Sequence, residues 1–217
     1  MSARAAFFDL DRTLVRVNTG TRYVRWRVRR GEMGAPEVVK TAWWTALYTL
    51  GLLEAQAVGA VAARTLEGVD ETVFRDECRA WVREEILEHV SAAAQDELAR
   101  RESTGWTCAL LTSASPYVAE PLAERFGIEH VLCTELEVEG GHFTGRLATP
   151  MCYGAQKVER ARRWAAERGV RLEDCAFFTD SVSDLPMLET VGEPRVINPD
   201  PRLRLLAWRR DWPIDLW

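Results

Sequence analysis

Residues 6–13 read AFFDLDRT. An apolar run ends in two aspartates one residue apart, Asp9 and Asp11, and Thr13 follows two places later. The run over residues 5–9 is too short for a helix and reads as a short buried strand. On an extended backbone, side chains at i and i+2 point to the same side. Two carboxylates at that spacing reach one ligand atom together. The fold therefore turns on what else the chain delivers to the end of this strand.

Outward from it, the pattern becomes helical from about 16 to 88. Val39, Ala42, Trp43, Ala46, Leu47, Leu50 and Leu53 follow three- and four-residue steps, as do Phe74, Cys78, Trp81, Val82 and Ile86 behind an N-cap at Asp70. Gly31, Gly34, Pro36 and Gly68 mark breaks, and no strand signal occurs in this stretch. Helix and strand then alternate. A helix over 92–103 precedes a strand at 107–112 (TCALLT). Ser115–Pro116 opens a second helix with a cap and a first-turn proline. A strand at 130–134 leads to a hairpin at 136–147 around Gly140–Gly141. A helix at 155–168, a strand at 175–179 (CAFFT) and a last short strand at 195–197 complete the series. Such alternation predicts an α/β fold with a doubly wound parallel sheet. The block at 16–88 interrupts it directly after the first strand and reads as an inserted all-helical cap, leaving 1–15 and 89–217 as the core.

The 217 residues suffice for one domain with a sizeable insertion, and 47% hydrophobic with 28% charged residues is ordinary for a globular chain. A net charge of −5 argues against nonspecific nucleic-acid binding. Five cysteines, an odd number without a CxxC pair, suggest a reducing cytoplasmic setting rather than a disulfide framework or zinc site. No signal peptide is read at the N-terminus. The uncharged stretch 41–53, TAWWTALYTLGLL, is too short to span a bilayer. It reads as a buried cap helix, with a lipid-contacting face as the alternative. The basic run RYVRWRVRR at 22–30 reads as a solvated helix face.

Ligands of open parallel sheets bind outside the carboxyl ends of the strands. At those ends stand Asp9, Asp11 and Thr13; then Ser113; then Asp180, Ser181 and Asp184 in FFTDSVSD. Lys157, one of only two lysines with Lys40, precedes the third group. Each cluster alone also reads as a turn or helix cap, but their joint placement after apolar strands points to a site. Several carboxylates together repel one another unless a cation sits among them. Oxygen ligands of this kind suit a hard divalent ion, most simply Mg²⁺, which shares its shell with phosphate oxygens. Ser113 and Thr13 suit phosphate as hydrogen-bond donors and Lys157 as a point charge. A remaining carboxylate can attack phosphorus while its neighbour handles the proton.

These segments resemble the four motifs of the haloacid dehalogenase (HAD) superfamily phosphohydrolases: FFDLDRT the first, LLTSAS the second, Lys157 the third and FFTDSVSD the fourth. The helical insertion between the first two resembles the C1 cap of the phosphoserine-phosphatase-like subfamily, IB. The tail INPDPRLRLLAWRRDWPI is similar to that subfamily as well. The resemblance implies a HAD-like Rossmannoid core in which Asp9 is the nucleophile and Asp11 the general acid/base. It implies Mg²⁺ held by the Asp9 carboxylate, the Asp11 main-chain carbonyl and Asp180. Ser113, Lys157 and the backbone N–H of Ala114 would bind phosphate, Asp184 would orient Lys157, and Ser181 would support. Phosphoserine phosphatases carry a glutamate for the substrate's amino group where this chain has Asn18, a neutral amide. Asn18 and Arg12 are thus candidate specificity positions.

The expected activity is hydrolysis of a small-molecule phosphomonoester, with histidinol phosphate among the substrates of relatives. Alternatives are a phosphotransferase or mutase, a lipid-phosphate phosphatase at a membrane surface, and a phospho-accepting receiver domain. The D-x-D-x-T pattern and the large insertion argue against the last.

Overall fold

The computed structural model describes residues 4–34 and 55–217. The expected helical steps at Val39–Leu53, the apolar stretch 41–53 and Lys40 lie outside them.

The first strand, β1 (Arg4–Phe8), leads through a tight loop to α1 (Thr19–Arg29). Then come α2 (Ala55–Arg64) and α3 (Glu71–Trp81), which runs on through a π-helical turn at Val82–Ile86 and a 3₁₀ turn at Leu87–His89. Asp70 caps α3 as expected, accepting from the backbone N–H groups of Thr72 and Val73. The chain continues as α4 (Ala92–Ser103), β2 (Trp106–Leu111), α5 (Pro116–Phe126), β3 (His130–Leu132), β4 (Leu136–Glu139), β5 (His142–Leu147), α6 (Ala155–Ala166) and β6 (Ala176–Thr179). The chain ends with α7 (Leu185–Leu188), β7 (Glu193–Ile197), α8 (Pro201–Arg209) and β8 (Ile214–Asp215).

Six strands form one parallel sheet in the order β3-β2-β1-β6-β7-β8, and β4–β5 form a separate hairpin. The doubly wound parallel sheet expected from the alternation is present. β1 lies at its centre, Phe8 in register with Leu110 of β2 and Phe178 of β6. Because successive side chains alternate, Phe7, Leu111 and Phe177 pack on one face with Trp164 and Leu203. Phe8, Leu110 and Phe178 pack on the other with Trp81, Ile86 and Leu122. Phe8 and Phe178 stack at 4.4 Å. Both faces are covered, which is why the strands read as continuous apolar runs.

Three details differ from the sequence reading. The strand expected at 130–134 stops at Leu132, because Thr134 leaves the ladder to donate through Oγ1 to the Ser113 carbonyl at 2.8 Å. The helix ending near 88 contains a π turn, closed by Leu87 N–H on the Val82 carbonyl, that accompanies full burial of Trp81 and Ile86. An unexpected edge strand, β8, adds to β7.

Among the described residues of 16–88 there is no strand. Its end is built into the core, since Trp81, Val82 and Ile86 share one apolar cluster with Phe8 and Leu10. Phe74 of α3, Tyr117 of α5 and Phe143 of β5 meet edge to face at 5.3–5.4 Å, tying α3 to the hairpin. The basic face of α1 is solvated as expected: Arg29 pairs with Glu85 at 2.5 Å and Arg30 with Glu32 at 2.5 Å. No described helix is long and apolar enough to cross a membrane.

Candidate active site

The sheet order puts β2, β1 and β6 side by side, so the residues after them share one rim. β1 hands its ladder directly to the site: Asp9 N–H donates to the Phe178 carbonyl at 2.9 Å. The chain then turns sharply, Leu10 carbonyl accepting from the N–H groups of Thr13, Leu14 and Val15. Arg12 adopts a left-handed backbone at φ +55° to make this turn, a conformation that costs a non-glycine residue roughly 1 kcal/mol.

Lys157 connects the first and last clusters. From the first turn of α6 its buried ammonium donates to Asp9 Oδ1 and Asp184 Oδ2, both at 2.7 Å. Thr179 Oγ1 donates to the same Asp184 oxygen at 2.6 Å, while Asp184 Oδ1 is buried without a partner. Burial pushes the Asp9 carboxyl up to about 7, Lys157 opposing this and Asp184 and Asp11 adding to it. Burial likewise opposes charge on Lys157, but Asp184 and Asp9 outweigh it and hold the ammonium above its ordinary value.

Asp180 follows β6 and is buried. Burial, then the neighbouring Asp9, push its carboxyl up to about 8, with the Arg12 guanidinium 3.9 Å away as a partial counterweight. Asp11 is also raised by burial, and the Thr19 N–H holds it down. Both Asp11 oxygens are engaged: Oδ1 accepts from Thr19 N–H and Oδ2 from the Asn18 side-chain amide, each at 2.9 Å.

The other expected residues stand at the same rim in different settings. Ser113, half-buried, follows β2; no hydrogen bond joins it to Asp9 or Lys157 among the described residues. The Ala114 N–H donates to Thr112 Oγ1 at 3.1 Å. Thr13 is fully buried and its Oγ1 has no partner. Ser181 caps the short turn at Val182–Asp184, accepting from Ser183 N–H.

Sequence reading missed the residues that brace these loops. Asp200 caps α8 through Arg202 and Leu203 N–H, and its second oxygen accepts from Val182 N–H at 2.7 Å. Its own N–H donates to the Asp180 carbonyl at 2.8 Å. An aspartate before a proline is a recognisable helix start, but its reach back to 182 is tertiary. Asn198, at φ +43°, donates from its amide to the Arg12 carbonyl at 2.9 Å.

Asp9, Asp11, Asp180 and Asp184 thus share the rim with Lys157 and an exposed Arg12. Raised carboxyls and an unpaired buried oxygen describe a donor set short of positive charge, which suits a hard divalent cation. No three acidic, histidine or cysteine side chains converge into a closed cage among the described residues. An ion that completes its shell with a backbone carbonyl, water and phosphate oxygens needs none. Thiol chemistry does not fit: Cys152 is fully buried, and burial pushes its thiol up to about 12.

The haloacid dehalogenase-like hydrolase model matches residues 6–189, all four clusters included. The chain belongs to this family. Among curated relatives of this HAD hydrolase is the phosphoserine phosphatase SerB1 of Mycobacterium tuberculosis, 31% identical over 97% of this chain and 70% of that protein. The histidinol-phosphatase of Neisseria meningitidis is 27% identical over 96% of each. A solved protein of unknown function from Bordetella pertussis superposes with a TM-score of 0.90 at 29% identity, covering 99% of this chain and 98% of its own. The HAD hydrolase described here is a phosphatase, phosphoserine-phosphatase-like in its family.

Proposed function

We propose that the chain hydrolyses a small-molecule phosphomonoester through a covalent phosphate on Asp9. The observation that carries this is the buried Lys157 held between Asp9 and Asp184 at the end of the central strand. It fixes one Asp9 oxygen and leaves the other without a protein donor among the described residues. In the first step an Asp9 oxygen bonds to phosphorus as the ester P–O bond breaks, and Asp11 gives its proton to the leaving oxygen. In the second, water attacks the phosphoaspartate, Asp11 takes the proton back, and phosphate leaves with Asp9 restored. Lys157 and Ser113 offset charge on the phosphoryl oxygens, the kind of stabilisation that dominates phosphoryl transfer.

Mg²⁺ fits the charge-deficient rim; the Asp9 carboxylate, the Asp11 carbonyl and Asp180 would hold it, and it would neutralise phosphate charge. The segment 16–88 would serve as a cap. In support, α1 begins on Asp11, and Gln56 of α2 exchanges two hydrogen bonds with the Met151 backbone, at 2.8 and 3.2 Å, in the loop leading to Lys157. The five described cysteines are buried and free, in keeping with a reducing cytoplasm.

Asp9→Asn should abolish phosphate release from 4-nitrophenyl phosphate while leaving the circular dichroism spectrum unchanged. Full residual activity in that variant would sink the covalent mechanism. Product formation that depends on an added alcohol acceptor would instead indicate a phosphotransferase.

A further inference from the structure

Asn18 was a candidate for meeting substrate, and its geometry assigns it elsewhere. It is the N-cap of α1, its Oδ1 accepting from Thr21 N–H at 2.9 Å. Its Nδ2 donates to Asp11 Oδ2 at 2.9 Å. The amide orientation follows from these contacts, since a flip would set oxygen against carboxylate and nitrogen against N–H. With both polar ends engaged, the side chain has little left for a ligand.

Capping alone does not require asparagine, because serine, threonine and aspartate cap as well. Asparagine adds a donor on the far side of the acceptor. Serine is too short to reach Asp11, and aspartate would set a carboxylate against a carboxylate. The side chain here is thus one that both starts the helix and holds Asp11. Thr19 N–H takes the other Asp11 oxygen at 2.9 Å, so two successive residues at one helix end grip both oxygens. A carboxylate held at both oxygens loses its rotational freedom, and its aim then follows the start of α1.

We propose that Asn18 is a positioning residue: it fixes the aim of Asp11 and couples that carboxylate to the first helix of the inserted segment. This deepens the reading of Asp11 as the proton donor and rests on it.

The test compares two probes that differ in their need for a proton on the leaving oxygen, 4-nitrophenyl phosphate and phenyl phosphate. Parent, Asn18→Ser, Asn18→Asp and Asp11→Asn are measured by kcat/KM, which reports the transition state of phosphoryl transfer from free enzyme and substrate. Asn18→Ser keeps a cap and loses the Asp11 contact. It should lower kcat/KM for phenyl phosphate about tenfold more than for 4-nitrophenyl phosphate, a fraction of what general acid catalysis supplies. Asn18→Asp should move the ratio in the same direction and further. The ratio does not depend on the fraction of enzyme folded, so a folding defect does not imitate the effect. Equal losses on both probes, or no loss, would overturn the positioning role. Undiminished phenyl phosphate turnover in Asp11→Asn would overturn the acid/base reading itself. A parent inactive on both probes would remove the phosphatase mechanism beneath it.

Discussion

Asp180→Asn should make the metal-free protein more stable and deaf to Mg²⁺. The Asp180 carboxyl is raised from 3.8 to about 8, chiefly by burial and then by Asp9. A carboxyl whose folded value is raised binds its proton more tightly in the folded state. Its contribution to stability is therefore intact below about 3.8 and is lost as pH rises towards about 8. At 1.36 kcal/mol per unit, the loss by pH 7 is about 4 kcal/mol. The isosteric amide does not titrate and escapes it. The advantage of Asp180→Asn over the parent should widen by about 2–3 kcal/mol between pH 5 and pH 7. For a chain of this size that is roughly 4–12 °C in Tm. Mg²⁺ at a hundredfold excess over its Kd should return about 2.7 kcal/mol to the parent and nothing to the variant. Thermal melts in chelator and in Mg²⁺, at both pH values, read all of this. A variant less stable than the parent in chelator, or equal stabilisation of both by Mg²⁺, would refute the reasoning.

Two further expectations concern the scaffold. Arg101, 2% exposed, donates to Glu97 and to both oxygens of Glu193 and lies 4.4 Å over Trp106; urea unfolding of Arg101→Ala should show a loss of about 2–3 kcal/mol, because the half-buried carboxylates of Glu97 and Glu193 lose the cation that pairs them. At Gly192 a Cβ would lie 1.9 Å from the Glu173 carbonyl oxygen, so Gly192→Ala should cost about 3 kcal/mol by the same measurement, at the upper end of overpacking effects.

The placement of the candidate site's residues was legible because it is written locally. A D-x-D spacing acts through the two-residue period of extended chain, and apolar runs of four to six residues identify buried strands without any partner in view. Ser113 and Asp180 were found in the same way, as the first polar groups past such runs. The cap at Asp70 and the helix start at Ser115–Pro116 were equally local, although Ser115 stands at the N-cap position without a side-chain cap bond. The limits were places where a distant residue decides. Thr134 ends β3 early because the Ser113 carbonyl is 21 positions away in sequence and within 2.8 Å in space. The hold of Asp200 on Val182 and of Asn198 on the Arg12 carbonyl spans 18 and 186 positions, and neither leaves a periodic trace.

Asn18 shows the division most clearly. The resemblance to phosphoserine phosphatases marked the position, because a neutral amide stands there in place of their glutamate. Only the tertiary structure showed where the amide points, because that depends on α1 starting beside the Asp11 carboxylate. By itself the sequence determined that carboxylates, hydroxyls and one lysine would meet at the rim of a parallel sheet, since strand period and apolar run length are properties of neighbouring residues. Tertiary structure decided how each of those groups is charged and aimed, since burial and hydrogen-bond partners come from segments far apart along the chain.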